Sequence, residues 1–336
     1  MAGVTLQDVA DHAGVSMKTV SNVVRNYAHV SEKTRTAVQQ AIDELGYRPN
    51  LMGRRLATGR SGLVALAFAD VGIPYFAELA HTSSRSTQRF GYRLLLEETD
   101  GTLEGERAVV ASSEAGLVDG FLFQPSVMSS SEVAKHRGDV PIVLLGEAAA
   151  PLTMDRVMID NEAAAAEATA HLLRMGRRRV GFVGHESRRL STTSRLRIAG
   201  YQHAIEAAGL SPEPRLLIAT HEVSAVESAR SVGEALDGGL QVDALFCRDD
   251  LAAIGALRAV QERGLRVPDD IAIIGWDNIG ITAVTYPSIT TVAPDIAALV
   301  ERALEMLVER IAGYEGMGRH ELAPHRIVFR ESAPQI

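Results

Sequence analysis

The 336-residue sequence predicts a multi-domain protein: a small all-α helix-turn-helix headpiece, then an α/β core of two lobes built on doubly wound parallel sheets. Three observations carry this. Residues 5–26, TLQDVADHAGVSMKTVSNVVRN, read as two short helices around a tight turn that contains glycine. From residue 63 onward, short apolar runs alternate with longer amphipathic stretches in two successive series, the pattern of buried parallel strands joined by helices. The charge divides at the same place. Residues 1–60 carry eight Lys and Arg against five Asp and Glu, a net +3, whereas the remainder carries 26 against 37, a net −11. A basic head on an acidic body suits a protein that meets phosphates at one end only.

In the headpiece, Thr5 caps the first helix and Asp8, three residues on, completes a capping box. Leu6, Val9 and Ala10 give that helix one apolar face, and Gly14 ends it because glycine takes the left-handed conformation cheaply. Ser16 caps the second helix, with Val20 and Val23–Val24 inward and Met17, Lys18, Ser21 and Asn22 outward. By itself this pattern fits an ordinary helical hairpin equally well. Ser31 caps a third helix whose stripe is Ala37, Val38, Ala41, Ile42 and Leu45, and Gly46 stops it. Residues 47–61 form a boundary. Pro49 breaks the third helix, and Asn50 caps a short basic segment, LMGRRLA. Gly53 costs that segment about 1 kcal/mol relative to alanine, so as a helix it is unstable alone. On its residues it reads equally as a plain basic linker.

The core begins with LVALAFAD, followed by a helix over residues 76–90 and the strand-like YRLLLEE, GFLF and PIVLLG. A helix over 161–175 leads to RRRVGFVG, a helix over 197–208, VDALFC, a helix over 250–263 and IAIIGWD. Open α/β sheets bind ligands beyond the carboxyl ends of their strands. Arg197, Asp249 and Asp277 stand at such ends. An arginine fork and carboxylate acceptors together suit vicinal hydroxyls of a sugar, although each residue alone reads equally as a cap or a surface ion pair. Trp276 either stacks on a sugar face or fills the core.

Several classes are excluded. No apolar run approaches the roughly 20 residues of a membrane span, and MAGVTLQDVA is no secretory signal, so a cytoplasmic protein is expected. The single cysteine, Cys247, rules out an internal disulfide and a multi-cysteine zinc site. There is no G-x-S-x-G, no Walker loop and no G-x-G-x-x-G after the first strand. His185-Glu186 is followed by Arg189 where a second metal ligand belongs, and after His320-Glu321 the next histidine, His325, falls one place too far. The expectation is no enzyme, no metal and no cofactor.

The stretches TLQDVADHAGVS, TVSNVV, HVSEKTR and ELGYRPN resemble the DNA-binding headpiece of the lactose repressor family of bacterial transcription regulators. PYFAEL, VMIDNEAA, HLLRMGRRRVGFVG, SRLRIAGY, RDDLAAIGALRAV, GLRVPDDIAIIGWDN and PSITTV resemble that family's regulatory core, which is similar to a periplasmic sugar-binding protein. The resemblance implies a headpiece over 1–46 and a hinge helix over 47–61 that orders on operator DNA. It implies a DNA-proximal lobe over 62–160 with 292–322, and a far lobe over 161–291 with 323–336. Met17, Lys18 and Asn22 match positions that read base edges, and many members have arginine where this chain has Asn22. The hydroxyls of Thr5, Ser16, Thr19, Ser21, Ser31 and Thr34 suit phosphate contacts. Asn50, Arg54 and Arg55 would lie near the groove, and Leu56 matches an apolar wedge between central base pairs. Arg197 and Asp277 match effector contacts, joined by Asp70, Tyr75 and Phe76 from the near lobe and Asp160 at the crossing. Asp249 stands where the family usually has asparagine, which points to an effector offering an extra hydroxyl donor or a cationic group.

The resemblance and the residues together predict a regulator, most simply a repressor, that binds a near-palindromic operator as a homodimer under control of a small sugar-like effector, with no membrane partner, at the nucleoid. Only ESAPQI remains after RIVFR, too short for the leucine-heptad tail of a tetramer. The rivals are a sugar-binding receptor, a corepressor-dependent regulator of nucleoside or other metabolism, and a sugar-processing enzyme with an accessory DNA-binding domain.

Overall fold

The computed structural model describes residues 4–24, 27, 29–47, 60–112, 116–136, 140–147 and 150–336. Asn50, Arg54, Arg55 and Leu56, and with them the expected hinge helix, lie outside the described residues. The chain divides into two compact units, Met1–Ser61 and Gly62–Ile336.

The first unit holds α1 (Leu6–Ala13), α2 (Met17–Val24) and α3 (Glu32–Leu45). The local signals act as the sequence reads. The Thr5 hydroxyl accepts the Asp8 N–H and the Asp8 carboxylate accepts the Thr5 N–H, closing the capping box. Gly14 and Gly46 are left-handed at φ 64° and 63°. After each, the next N–H reaches back to close a Schellman motif, Val15 to Ala10 and Tyr47 to Ile42, both at 3.0 Å. Val9, Ala10, Val20, Val23, Val38, Ala41 and Tyr47 form the core. Three expectations shift. Val24 is 39% exposed, because the inward stripe of this two-turn helix closes with Val23. Ala37 is exposed, since Val38, a helical step of about 100° on, fills that place. Tyr47, expected to open the boundary, is buried in the headpiece core.

The second unit runs β1 (Leu63–Phe68), α4 (Pro74–Arg89), β2 (Arg93–Glu98), α5 (Leu103–Ser112), β3 (Gly120–Phe123), α6 (Ser130–His136), β4 (Ile142–Leu145) and β5 (Asp155–Ile159). It continues with α7 (Asn161–Arg174), β6 (Val180–Glu186), α8 (Thr192–Ala207), β7 (Leu217–Thr220), α9 (Ala225–Asp237), β8 (Ala244–Cys247), α10 (Asp250–Glu262) and β9 (Ala272–Trp276). Last come β10 (Thr290–Pro294), α11 (Ile296–Ile311), β11 (His320–Ala323) and β12 (His325–Val328). These strands form two six-stranded sheets, ordered β11-β5-β4-β3-β1-β2 and β12-β10-β9-β8-β6-β7. The orders are the same with β6–β10 replacing β1–β5. Only the last strand differs in sense: β11 runs parallel to β5, whereas β12 runs antiparallel to β10. Central strands such as GFLF, IVLL and ALFC are buried throughout, as parallel strands covered on both faces must be.

The chain passes between the sheets three times: after β5, after β10, and between β11 and β12. Because β10 belongs to the second sheet through Pro294, the second passage falls after that residue rather than at 292. Helix α8 begins at Thr192, five residues before the expected start, because Ser191 accepts the Ser194 N–H at 3.1 Å. Arg197 therefore sits in its second turn. At the amino end of β5, buried Asp155 accepts from Arg310 (2.9 Å, twice) and from the backbone and side chain of Arg319. Both guanidinium groups also lie over the Tyr314 ring, at 4.6 and 4.5 Å.

Candidate DNA-reading face and effector cleft

On the headpiece, α2 lies between Ser16 and a polar outer face. Met17 is 51% exposed and Lys18 is exposed, with Ser21 and Asn22 half-buried. Among the described residues the side chains of Lys18, Ser21 and Asn22 have no protein partner, so their donors and acceptors are free for base edges. The other hydroxyls do structural duty first. Ser16 accepts the Thr19 N–H at 3.1 Å and pairs with the Thr19 hydroxyl. Ser31 does the same with Thr34, and Thr5 pairs with Asp8. In each Ser–Thr pair one hydroxyl hydrogen stays available for a phosphate. His12 bonds Glu44 at 2.7 Å and ties α1 to α3.

In the core, charged groups gather at the carboxyl ends of the second sheet. Arg197 is buried. Its Nε donates to Asn161 Oδ1 at 2.8 Å, and its Nη1 donates to the Arg248 carbonyl. The guanidinium lies 3.7 Å over the Trp276 ring. Nη2 has no partner among the described residues. Trp276 is itself buried against Phe246, so its ring is a shelf for Arg197 and does not offer a free face. Asp277 follows at the end of β9. Burial pushes its carboxyl well above the usual range, Arg197 opposes the rise, and Asp250 and Asp249 add to it. Burial lowers the Arg197 pKa, with Asp277 and Glu147 opposing. Asp277 also holds a left-handed backbone, φ 105°, rare for a residue with a side chain.

From the first sheet comes Tyr75, in the first turn of α4. Burial raises its hydroxyl pKa, Glu147 and Asp277 raise it further, and a hydrogen bond from Gln124 and the charge of Arg197 oppose. Tyr75 and Glu147 of the first lobe and Arg197 and Asp277 of the second thus lie near enough to influence one another's charge, with Gln124 bonded to Tyr75. Gln124 Oε1 is buried without a partner among the described residues, an acceptor awaiting a donor.

The remaining expected residues have local tasks. Asp70 is exposed and its carboxylate accepts the Gly72 N–H at 2.7 Å. Phe76 stacks on Phe68 with ring centres 5.5 Å apart and fills the core. Asp160 caps α7 by accepting the Ala163 N–H. Asp249 caps α10 through Oδ1, while Oδ2 takes both Nε and Nη2 of Arg248 at 3.0 and 2.7 Å. Both oxygens are engaged within the protein, so the demand for a donor inferred from its carboxylate is met by Arg248. Arg248 also binds Glu186 at 3.0 Å.

Sequence reading missed Asn161, Arg248, Gln124 and Glu147. The last three had a usable signal, since each follows an apolar run just as Asp277 does. Asn161 had none, because its partner lies 36 residues away.

Comparisons with known proteins agree with this architecture. Residues 5–50 match bacterial regulatory proteins of the lacI family, and residues 169–333 match the periplasmic binding protein-like domain. The transcriptional regulator DegA of Bacillus subtilis is 31% identical over 98% of both chains. The lac repressor dimer bound to operator and the anti-inducer ONPF superposes with a TM-score of 0.86 at 25% identity, over 99% of this chain and all of that one. A complex of the regulator CelR with cellobiose gives a TM-score of 0.73 at 27% identity, over 98% of this chain and 99% of that one.

Proposed function

The chain belongs to the lacI family of bacterial regulatory proteins, and from that premise we propose a homodimeric repressor of a near-palindromic operator, controlled by a sugar or sugar derivative seated between the two lobes of the core. The observation that carries the effector reading is that Arg197 and Asp277 are both buried and influence one another's charge without joining in an ion pair. One offers an unused Nη2 donor and the other a carboxylate acceptor, both largely desolvated. A pair of neighbouring hydroxyls satisfies both at once. Gln124, Tyr75 and Glu147 would close over the effector from the first lobe. Trp276, Asp249, Asp160, Phe76 and Asp70 would act by shaping the walls.

On DNA, Met17, Lys18 and Asn22 would read bases, with the capping hydroxyls, Asn50, Arg54 and Arg55 at phosphates or in the groove. Leu56 would wedge the central step. For the dimer, β2 supplies a surface: it is an edge strand with Leu95 and Leu96 exposed at 40% and 46%, the kind of edge that pairs with another chain. No helix among the described residues is long and apolar enough to cross a membrane. We read the protein as acting at the nucleoid, binding its effector without turning it over.

The test is a fluorescence-anisotropy titration at fixed, near-physiological salt. It compares a near-palindrome from the gene's own upstream region with its scrambled version. A preference of about 10³ or more for the palindrome establishes specific regulation. Sugars and nucleosides added to that complex then show whether the effector releases the operator or tightens it. Asp277→Asn, which keeps the shape and loses the charge, should weaken effector binding by about tenfold, or about 1.4 kcal/mol, and leave operator binding without effector unchanged. Leu56→Ala should weaken specific operator binding while leaving non-specific binding nearly intact; equal losses on both sink the wedge.

A further inference from the structure

One buried carboxylate lies behind the cleft wall and holds the turn that faces it. Asp250 opens α10 and is fully buried. Its Oδ2 accepts the N–H of Ile279 at 2.8 Å, and its Oδ1 accepts the hydroxyl of Thr291 at 2.7 Å. The Thr291 oxygen accepts in turn the N–H of Asn278 at 3.2 Å. The N–H of Asp277 bonds the Val292 carbonyl at 2.9 Å. Three successive amides are thus fastened, two of them through Asp250. From the far side Arg330 donates to Asn278 Oδ1 at 2.6 Å and to the Ile289 carbonyl at 2.7 Å.

The turn needs fastening. Asp277 and Asn278 have φ values of 105° and 58°, left-handed conformations that residues with side chains rarely adopt. Surroundings must impose them. Gly275, on the strand just before, leaves room for the carboxylate: a β-carbon there would overlap Asp250 Oδ1.

We propose that Asp250 is the positioning residue for Asp277, fixing the strained turn that presents the Asp277 carboxylate beside Arg197. The inference rests on the reading of Asp277 as an effector contact. Its chemistry is hydrogen bonding rather than charge. An asparagine at 250 would still accept the Ile279 N–H, and its amide would donate to Thr291, whose hydroxyl can turn to the Val292 carbonyl 3.3 Å away. Alanine would lose both bonds.

The full-length protein without effector provides the test. Amide exchange is read at residues 277–279. Trp276, the only tryptophan, reports the same place through its emission, because Arg197 lies over its ring. Asp250→Ala should speed exchange at Asn278 and Ile279 by at least about tenfold and shift the emission, with the rest of α10 and β9 unchanged. Asp250→Asn should stay within about threefold of wild type. Thr291→Val should loosen Asn278 by about threefold or more and spare Ile279, and it carries the test if the alanine variant does not fold. Unchanged exchange in a folded alanine or valine variant overturns the proposal. So does exchange raised evenly along α10, or an asparagine variant as loose as the alanine one. Failure of the Asp277 reading appears elsewhere, as an Asp277→Asn protein that binds effector like wild type with its turn amides still held.

Discussion

The two lobes share one strand order and treat buried acid in opposite ways. In the first lobe Asp155 sits at the amino end of β5, where two arginines bind it. Burial alone would raise its pKa, but the bonds from Arg310 and Arg319 outweigh that and hold it well below the ordinary range. In the second lobe Asp250 sits beyond the carboxyl end of β8 with only a hydroxyl and an amide. Burial pushes it up to about 7, the Thr291 and Ile279 bonds oppose, and neighbouring Asp249 adds to the rise. The difference separates two uses of a buried acid. A fully compensated acid, at the strand end away from ligands, joins β5 to α11 and the turn before β11. An under-compensated acid, at the strand end where open α/β sheets take ligands, is placed to shape the candidate site.

The largest effect should come from breaking the compensated pair. Asp155→Ala leaves two partly buried guanidinium groups facing each other and should cost about 3–5 kcal/mol of core stability, seen as a lower urea midpoint. A matched pair of glycines sharpens the contrast at smaller cost. Gly275→Ala collides with Asp250 Oδ1 and should cost about 2–3 kcal/mol and shift Trp276 emission. Gly120→Ala meets only side-chain carbons, Leu307 Cδ1 at 2.7 Å and Leu307 Cγ and Ile311 Cδ1 at 3.1 Å, which can shift aside. It should cost about 1 kcal/mol and leave the emission alone.

The smallest test is a pH comparison in which the two acids have opposite signs. The folded pKa of Asp155 is depressed, so its contribution is present above the ordinary 3.8 and lost as pH falls below it. The folded pKa of Asp250 is raised, so its contribution is full below 3.8 and lost as pH rises through about 7. Asp250→Asn should therefore reduce the fall in urea midpoint between pH 5 and pH 8. Asp155→Asn should lower the midpoint at both of those pH values, and its gap to wild type should narrow as pH falls from 3.8 towards 2. Parallel shifts in the two variants would erase the distinction between the lobes.

How much could be read from sequence depends on how local each signal is. Thr5 with Asp8, Ser31 with Thr34, and the glycines at 14 and 46 act within one helical turn, and they terminate helices as expected. The central strands announced themselves as apolar runs. HELA and HRIV did not, because β11 and β12 are short and polar and become strands only by pairing with β5 and β10, some 160 and 40 residues earlier. The crossings between lobes came from family resemblance rather than periodicity. In the candidate site, Asp277 was singled out by its place after β9 and Arg197 by its place near the start of the helix that follows β6. Asn161 and the Arg248–Asp249 pairing were not, because a hydrogen bond between distant residues leaves no spacing to find.

The three passages between lobes also bear on how the chain is made. The first sheet lacks its edge strand until residue 323 has been synthesised, although β1 to β5 end by residue 159. Neither lobe is therefore a contiguous stretch that a ribosome can release to fold before the other. The headpiece, complete by Tyr47, carries no such dependence. A chain cut short before residue 320 would have a finished headpiece but neither lobe complete.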